Sequence, residues 1–264
     1  VKLSNIPSNR PRGYIDGCII SNGSDATNDI NISAGVCRDS TDAVDIVIPA
    51  ITGKQLDANW AAGGSAGMRN SAAGIANTVY HIWGARTAAS SAGDIYAHTS
   101  ASAATVLTAL QAETGGSSYA YLRRIASIIR SGDTILAFTQ VGDDFMLTTP
   151  AEDLNRTTDH TTAQTLALTV PTGVRVRAKV RVVVNGTGGN QGVLLTALDQ
   201  TDSTPSETAS PGMTAIVPTS GNRAAGSDAV WTNTSGQIRY RANNANVDTI
   251  IVTHGWSDLR GKDA

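Results

Sequence analysis

Residues 174 to 184 read VRVRAKVRVVV, and this strict alternation constrains the fold more than any other feature of the chain. Val174, Val176, Ala178, Val180 and Val182 fall on one side of an extended chain, and Arg175, Arg177, Lys179 and Arg181 on the other. A period of two belongs to a strand with one face buried and the other in water. QIRYRA repeats the arrangement, with Ile238 and Tyr240 inward against Arg239 and Arg241 outward. GVLLTALD and DTIIVTHGW supply further strands, and Gly- and Ser-rich turns separate them. Such runs are most simply a β-sandwich of jelly-roll type.

The first half follows the same logic with shorter words. YIDGCIIS alternates Ile15, Gly17 and Ile19; NDINISAG alternates Ile30 and Ile32; AVDIVIPA gives Val44, Ile46 and Ile48. NTVYHIWGAR places Val79, His81 and Trp83 opposite Tyr80 and Ile82. Gly, Asn, Asp or Pro bounds each run. One segment breaks the pattern: SAATVLTALQAE sets Ala103, Val106, Leu107 and Leu110 at helical spacing before TGGSS, which predicts a short helix. RRIASIIRSGDTILAFTQ supports two readings, a basic amphipathic helix or a hairpin turning at Ser131-Gly132-Asp133; the β-branched run after the turn favours the hairpin. The polar stretch from 148 to 165 reads as a linker. The expected organisation is an extended arm over 1–12, a β module over 13–149 and a jelly-roll-like β-sandwich over 150–264. The fold class is mainly β, two β-sandwich domains with one short helix.

Composition narrows the function. Only 16% of the 264 residues are charged and the net charge is -2, which does not favour a nucleic-acid partner. No stretch approaches the roughly 20 apolar residues that cross a bilayer, and the N-terminus lacks the apolar core of a signal peptide, so neither membrane insertion nor export by the general route is expected. Cys18 and Cys37 are too few for a disulfide scaffold; they are read as buried thiols, with pairing left open. His81, His98, His160 and His254 show no metal-ligand spacing, and neither a nucleophile elbow nor a phosphate-binding glycine pattern occurs. No cofactor, metal or catalytic residue is expected. The Asp residues, Asp143 and Asp144 among them, read as turn residues, as does the oxygen-rich SNGSDATND, for which calcium is the less favoured alternative.

The sharper candidates lie on the basic strand faces. Arg175, Arg177, Lys179 and Arg181 beside Arg239 and Arg241 suggest a cationic sheet face for an acidic polysaccharide or another subunit; the alternative is a solvated face that discourages edge pairing. Trp231, Trp256 and Tyr240 in the second half and Trp60 and Trp83 in the first are the aromatic candidates for stacking on sugar. Trp83 reads as core. Trp231, in the polar AVWTNTSG, is the one expected to be partly exposed.

Several words occur in a telling order: YIDGCIISNGSDATNDINISAGVCRDSTDAVDIVI, LDANWAAGG, NTVYHIWGAR and YLRRIASIIRSGDTILAFTQVGDDF. This order resembles a module of tail-fibre and related virion proteins of tailed bacteriophages and prophages, and it spans most of residues 13–147. VPTGVRV, LDQTD, QIRYR and THGWSDLRGKDA are similar to the C-terminal part that accompanies it. Ala126 stands where the family usually has Gly, and ATVLTALQAE where relatives tend to have a Pro-containing extended segment. The resemblance implies a virion component without catalysis, assembled in the host cytoplasm as a homotrimer. Its expected partners are other tail or capsid proteins and a host surface glycan or protein. A head fibre or capsid decoration protein is the first alternative, and a polysaccharide-degrading tail appendage the second.

Overall fold

A computed structural model describes residues 10–70 and 74–262. Most of the expected arm, residues 1–9, lies outside them. The remainder is pinned: Arg10 pairs with Asp45 and Arg12 with Asp42, whose other oxygen accepts the Gly13 N–H. The fold is mainly β with one short helix, and it divides into two units, Val1–Asp143 with Asp258–Ala264, and Asp144–Ser257. The boundary therefore falls at 143/144, and the last residues of the chain return to the first unit. The stretch expected as a linker is largely strand.

The first unit carries β1 (Ile15–Gly17), β2 (Ile20–Asn22), β3 (Asp29–Ile32), β4 (Gly35–Arg38), β5 (Asp45–Ile48), β6 (Ile51–Asn59), β7 (Gly67–Arg69), β8 (Val79–Thr87) and β9 (Gly93–His98). Helix α1 (Ala103–Gln111), β10 (Tyr119–Ser131), β11 (Thr134–Ile135) and β12 (Phe138–Val141) follow. Three sheets run in the orders β1-β4-β5, β2-β3-β6-β7 and β11-β10-β8-β9. The run YIDGCIIS is not one strand. Gly17 and Cys18 both have positive φ, which breaks it into β1 and β2 in different sheets; Cys18 and Ile20 are then buried instead of Ile15 and Ile19. Both thiols are free and buried. β8 is buried on both faces, which explains why Tyr80 and Ile82 are as apolar a set as Val79 and Trp83. The helix forms where its spacing predicts, with Val106 and Leu110 packed among Trp60, Trp83, Tyr96 and Leu122.

The hairpin reading holds at 130–135. Arg130 pairs with Ile135 and Ser131 with Thr134, and Gly132 and Asp133 have φ of 57° and 64°, the two positive values that a two-residue type I′ turn requires. The arginines of this strand are neither a nucleic-acid patch nor a sheet edge, because they are buried. Arg124 makes a bidentate contact with Asp258, 2.6 and 2.8 Å, and also donates to Ser127 Oγ. Arg123 donates to the carbonyls of Arg260 and Gly13. Arg260 in turn donates to the carbonyls of Ile125, Gly17 and Cys18. The RRI word and the SDLRG word, more than 130 residues apart, are thus two halves of one buried polar network.

The second unit is a jelly roll. Its strands are β13 (Asp144–Arg156), β14 (Gln164–Ala167), β15 (Arg177–Gly186), β16 (Gln191–Thr196), β17 (Ala215–Val217), β18 (Arg223–Trp231), β19 (Gln237–Ala242) and β20 (Val247–Ser257). Within the unit they run β13-β20-β15-β18 in one sheet and β14-β19-β16-β17 in the other, all antiparallel. First pairs with last and second with seventh, the double Greek key of that fold. Val176, Ala178, Val180, Val182 and Val184 face Ile238, Tyr240 and Ala242 across the core. The strand begins at Arg177, so Val174 is only half-buried. Phe145 stacks on Trp256 at 5.5 Å, cross-strand neighbours that fill the end of the core.

Two predictions follow from the buried network of the first unit. Burial pushes the Asp258 carboxyl up, but Arg124 and the Arg260 N–H outweigh it and hold the carboxyl below its ordinary value. Asp258→Asn leaves Arg124 uncompensated and should cost about 3–5 kcal/mol, read in urea unfolding as an early transition of the first unit while that of the jelly roll stays put. His81 is buried, its Nδ1 2.8 Å from Ser127 Oγ, and burial together with the Arg124 charge lowers its pKa to about 4. As pH falls from about 6.5 the unfolded chain takes up this proton first, so the first unit should lose about 3 kcal/mol by about pH 4. Urea midpoints across that range should fall for the wild type and fall much less for His81→Gln.

Candidate functional site

The candidate residues of the second unit converge on one loop. β18 ends at Trp231, where alternation sends Val230 into the core and leaves the indole outside, 38% exposed. Thr232 fixes this end: its N–H donates to the Val176 carbonyl and its hydroxyl bonds the Val176 backbone. Asn233 then accepts the N–H groups of Ser235 and Gln237, closing the turn into β19. Opposite stands the loop that follows β16. Its first turn is made by Gln200, whose side chain accepts the Ala197 N–H.

Three of the predicted cations hold that loop. Arg239 donates to the carbonyls of Leu198 and Gln200, at 3.2 and 2.6 Å. Arg241 pairs with Asp202 at 2.9 Å and donates to Thr161 O. Arg175, just ahead of β15, pairs with Asp199 at 2.8 Å while its Nε donates to Thr232 O. Arg175 thereby ties the loop to the end of β18.

Two clefts of about 380 Å³ each result. Arg175, Asp199 and Trp231 belong to both. Leu198, Asn233 and Thr234 wall one; Ala197, Gln200, Pro211 and Asp228 wall the other. An exposed indole beside an oriented guanidinium and carboxylate can stack on a ligand face and bond its edge.

The remaining cations lie elsewhere. Lys179 pairs with Asp144 at 2.8 Å, and Arg177 donates to Ala229 O. Arg181 is exposed opposite Ser227 and Val252. β15 and β19 belong to different sheets and turn their apolar sides to one core, so their basic sides face away from each other. The six cations do not form one surface. Of the aromatic candidates, Trp60, Trp83, Trp256 and Tyr240 are core. The two carboxylates weighed for catalysis are engaged in ion pairs, Asp143 with Lys262 and Asp144 with Lys179. Asp199, Gln200, Asn233 and Asp228 went unmarked by sequence reasoning. For Asp199, Gln200 and Asn233 the only signal is the turn-forming LDQTD and WTNTSG around them; Asp228, inside β18, has none.

No family model matches the chain, and no curated protein matches it. Among solved structures, "Structure of infectious bursal disease virus Gx strain" is similar at 11% identity over 98% of this chain and 76% of that one, with a TM-score of 0.20. A superposition that loose carries no argument about fold or function.

The energetics separate the walls of the site from its support. The Arg175–Asp199 pair is exposed and contributes below about 1 kcal/mol. Trp231→Ala and Arg175→Ala should therefore leave the unfolding midpoint of the jelly roll almost unchanged. Thr232→Val removes a buried hydroxyl that bonds the backbone and should cost about 1–3 kcal/mol. Urea titration followed by circular dichroism distinguishes the two classes.

Proposed function

We propose that the chain is a structural protein of a bacteriophage virion, of the tail-fibre type, which attaches to the host surface without catalysis and works as a homotrimer. The observation that carries this reading is the ordered set of words across residues 13–147. Their positions in the first unit support it, because each word has a structural task. In CRDSTDAV, Asp39 accepts the N–H groups of Thr41, Ala43 and Val44, folding the loop between β4 and β5. In LDANW, Trp60 enters the core and donates to Ile95 O. In YLRRI, the arginines receive the chain end. Words with such tasks are what a module that folds as one piece would carry.

The jelly roll supports the attachment half of the proposal. It is an architecture shared by capsid and lectin domains, and here it presents an exposed cleft on loops braced by a rigid sandwich. Three copies in one trimer raise the avidity of a weak site by about 10² or more when the target is repeated on a surface.

The test is direct. Antibody raised against the chain, gold-labelled and applied to purified phage particles, should mark a fibre, and the isolated chain should have a solution mass near three times 27.3 kDa by light scattering. Particles that carry none of the chain would refute the virion reading, and a monomer at working concentration would refute the trimer.

A further inference from the structure

We infer that the two clefts meeting at Trp231 form a carbohydrate site that takes a neutral oligosaccharide, one sugar unit in each cleft. The inference deepens the attachment reading and rests on it for its setting. Its physical basis is local.

The first argument is the indole. Trp231 is the largest of the exposed hydrophobic side chains among the described residues, and it stands where the two clefts join. Its π face is electron-rich and apolar, a match for the C–H face of a pyranose. The second is the unused bonding capacity around it. Arg175 spends Nε on Thr232 and Nη2 on Asp199, which leaves Nη1. Asp199 uses Oδ2 and keeps Oδ1. Gln200 accepts through its carbonyl and keeps its amide N–H groups. Asp228 accepts the Ala229 N–H through Oδ1 and keeps Oδ2. Both donors and acceptors therefore remain available beside the indole, as hydroxyl groups require, since each hydroxyl both gives and takes a bond. An apolar peptide side chain in the same place leaves these atoms unpaired.

Charge decides the kind of sugar. The clefts hold one cation, Arg175, against the two carboxylates of Asp199 and Asp228. The cation is already neutralised at 2.8 Å. Arg177, Lys179 and Arg181 do not line either cleft. A uronic or sialic acid would bring a further negative charge to a site without a free positive one, and a neutral sugar brings none. The basic strands suggested an acidic polysaccharide; the lining of these clefts favours a neutral one. Size sets the length: each cleft is near the lower end of the roughly 300–1,000 Å³ of small-molecule sites, and their shared wall implies a ligand of at least two rings.

The experiment is a titration of the full chain, followed by tryptophan fluorescence and calorimetry. The probes are neutral tetrasaccharides of glucose, galactose and mannose and equally long uronic acid oligomers. Binding to at least one neutral series is expected, with Trp231→Ala weakening it by about tenfold or more, Trp231→Phe restoring part of the loss, and Asp199→Asn also weakening it. Preference for the uronic acids, affinity indifferent to Trp231→Ala, or no binding across the panel would each overturn the inference. The outcomes separate the two claims. Labelled particles with no sugar binding would leave the virion reading standing and remove the site; sugar binding by a chain absent from particles would do the reverse.

Discussion

The buried contact between Arg124 and Asp258 is the interaction on which the first unit depends. It is bidentate, fully enclosed and made by residues 134 positions apart. Two charges removed from water lose several kcal/mol of hydration, and only close geometry with further bonds to the spare atoms offsets that loss. Here Ser127 Oγ, which accepts from Arg124, and the Arg260 N–H, which donates to Asp258, provide those bonds. The core network of the first unit therefore forms only when Asp258 and Arg260 have returned to it. The second unit follows as an insertion, leaving at Asp144 and ending at Ser257, two residues that are cross-strand partners.

The jelly roll rests on a different balance. Its core is mostly aliphatic, built by the alternating valines of β15 with residues of β16, β19 and β20, and closed at one end by Phe145 on Trp256. Burial of each such side chain contributes about 1.5–3 kcal/mol, so most of the stability comes from the inward positions. The outward positions are then available for bracing loops. Arg175, Arg239 and Arg241 do this for the loop after β16, each by bonding a carbonyl or a carboxylate that loop offers. The cations stiffen one wall of the cleft instead of presenting charge to a partner. That is why basic strands end in a site whose own lining is not basic.

Much of the fold was legible in the sequence because strands and hairpins are short-range objects. Alternation identified β15 and β19, spacing identified the helix at 103–111, and Ser131-Gly132-Asp133 identified a turn that needs positive φ. Trp231 was singled out as the exposed tryptophan from its polar neighbours alone, and it is. What failed did so where a local signal met a distant partner. YIDGCIIS alternates well, yet left-handed backbone at Gly17 and Cys18 divides it between two sheets. The polar 148–156 looks like a linker, yet pairs with β20 as an exposed edge strand whose polarity reflects its position. Arg123 and Arg124 look like surface residues because no partner for them lies near in sequence; Asp258 pairs with Arg124 from 134 positions away, and the carbonyls of Gly13 and Arg260 accept from Arg123.

By itself the sequence determined the class of fold, a mainly β chain with a jelly-roll-like second half, because the period of side chains along a strand is a local property that packing only has to accept. Tertiary structure alone decided which arginines are buried, that Asp258 and Arg260 belong to the first unit, and that Arg175, Asp199 and Trp231 share a cleft. Those outcomes depend on which strand lies beside which. Pairing of that kind is set by contacts across a hundred residues or more, and no short window of sequence contains both sides of them.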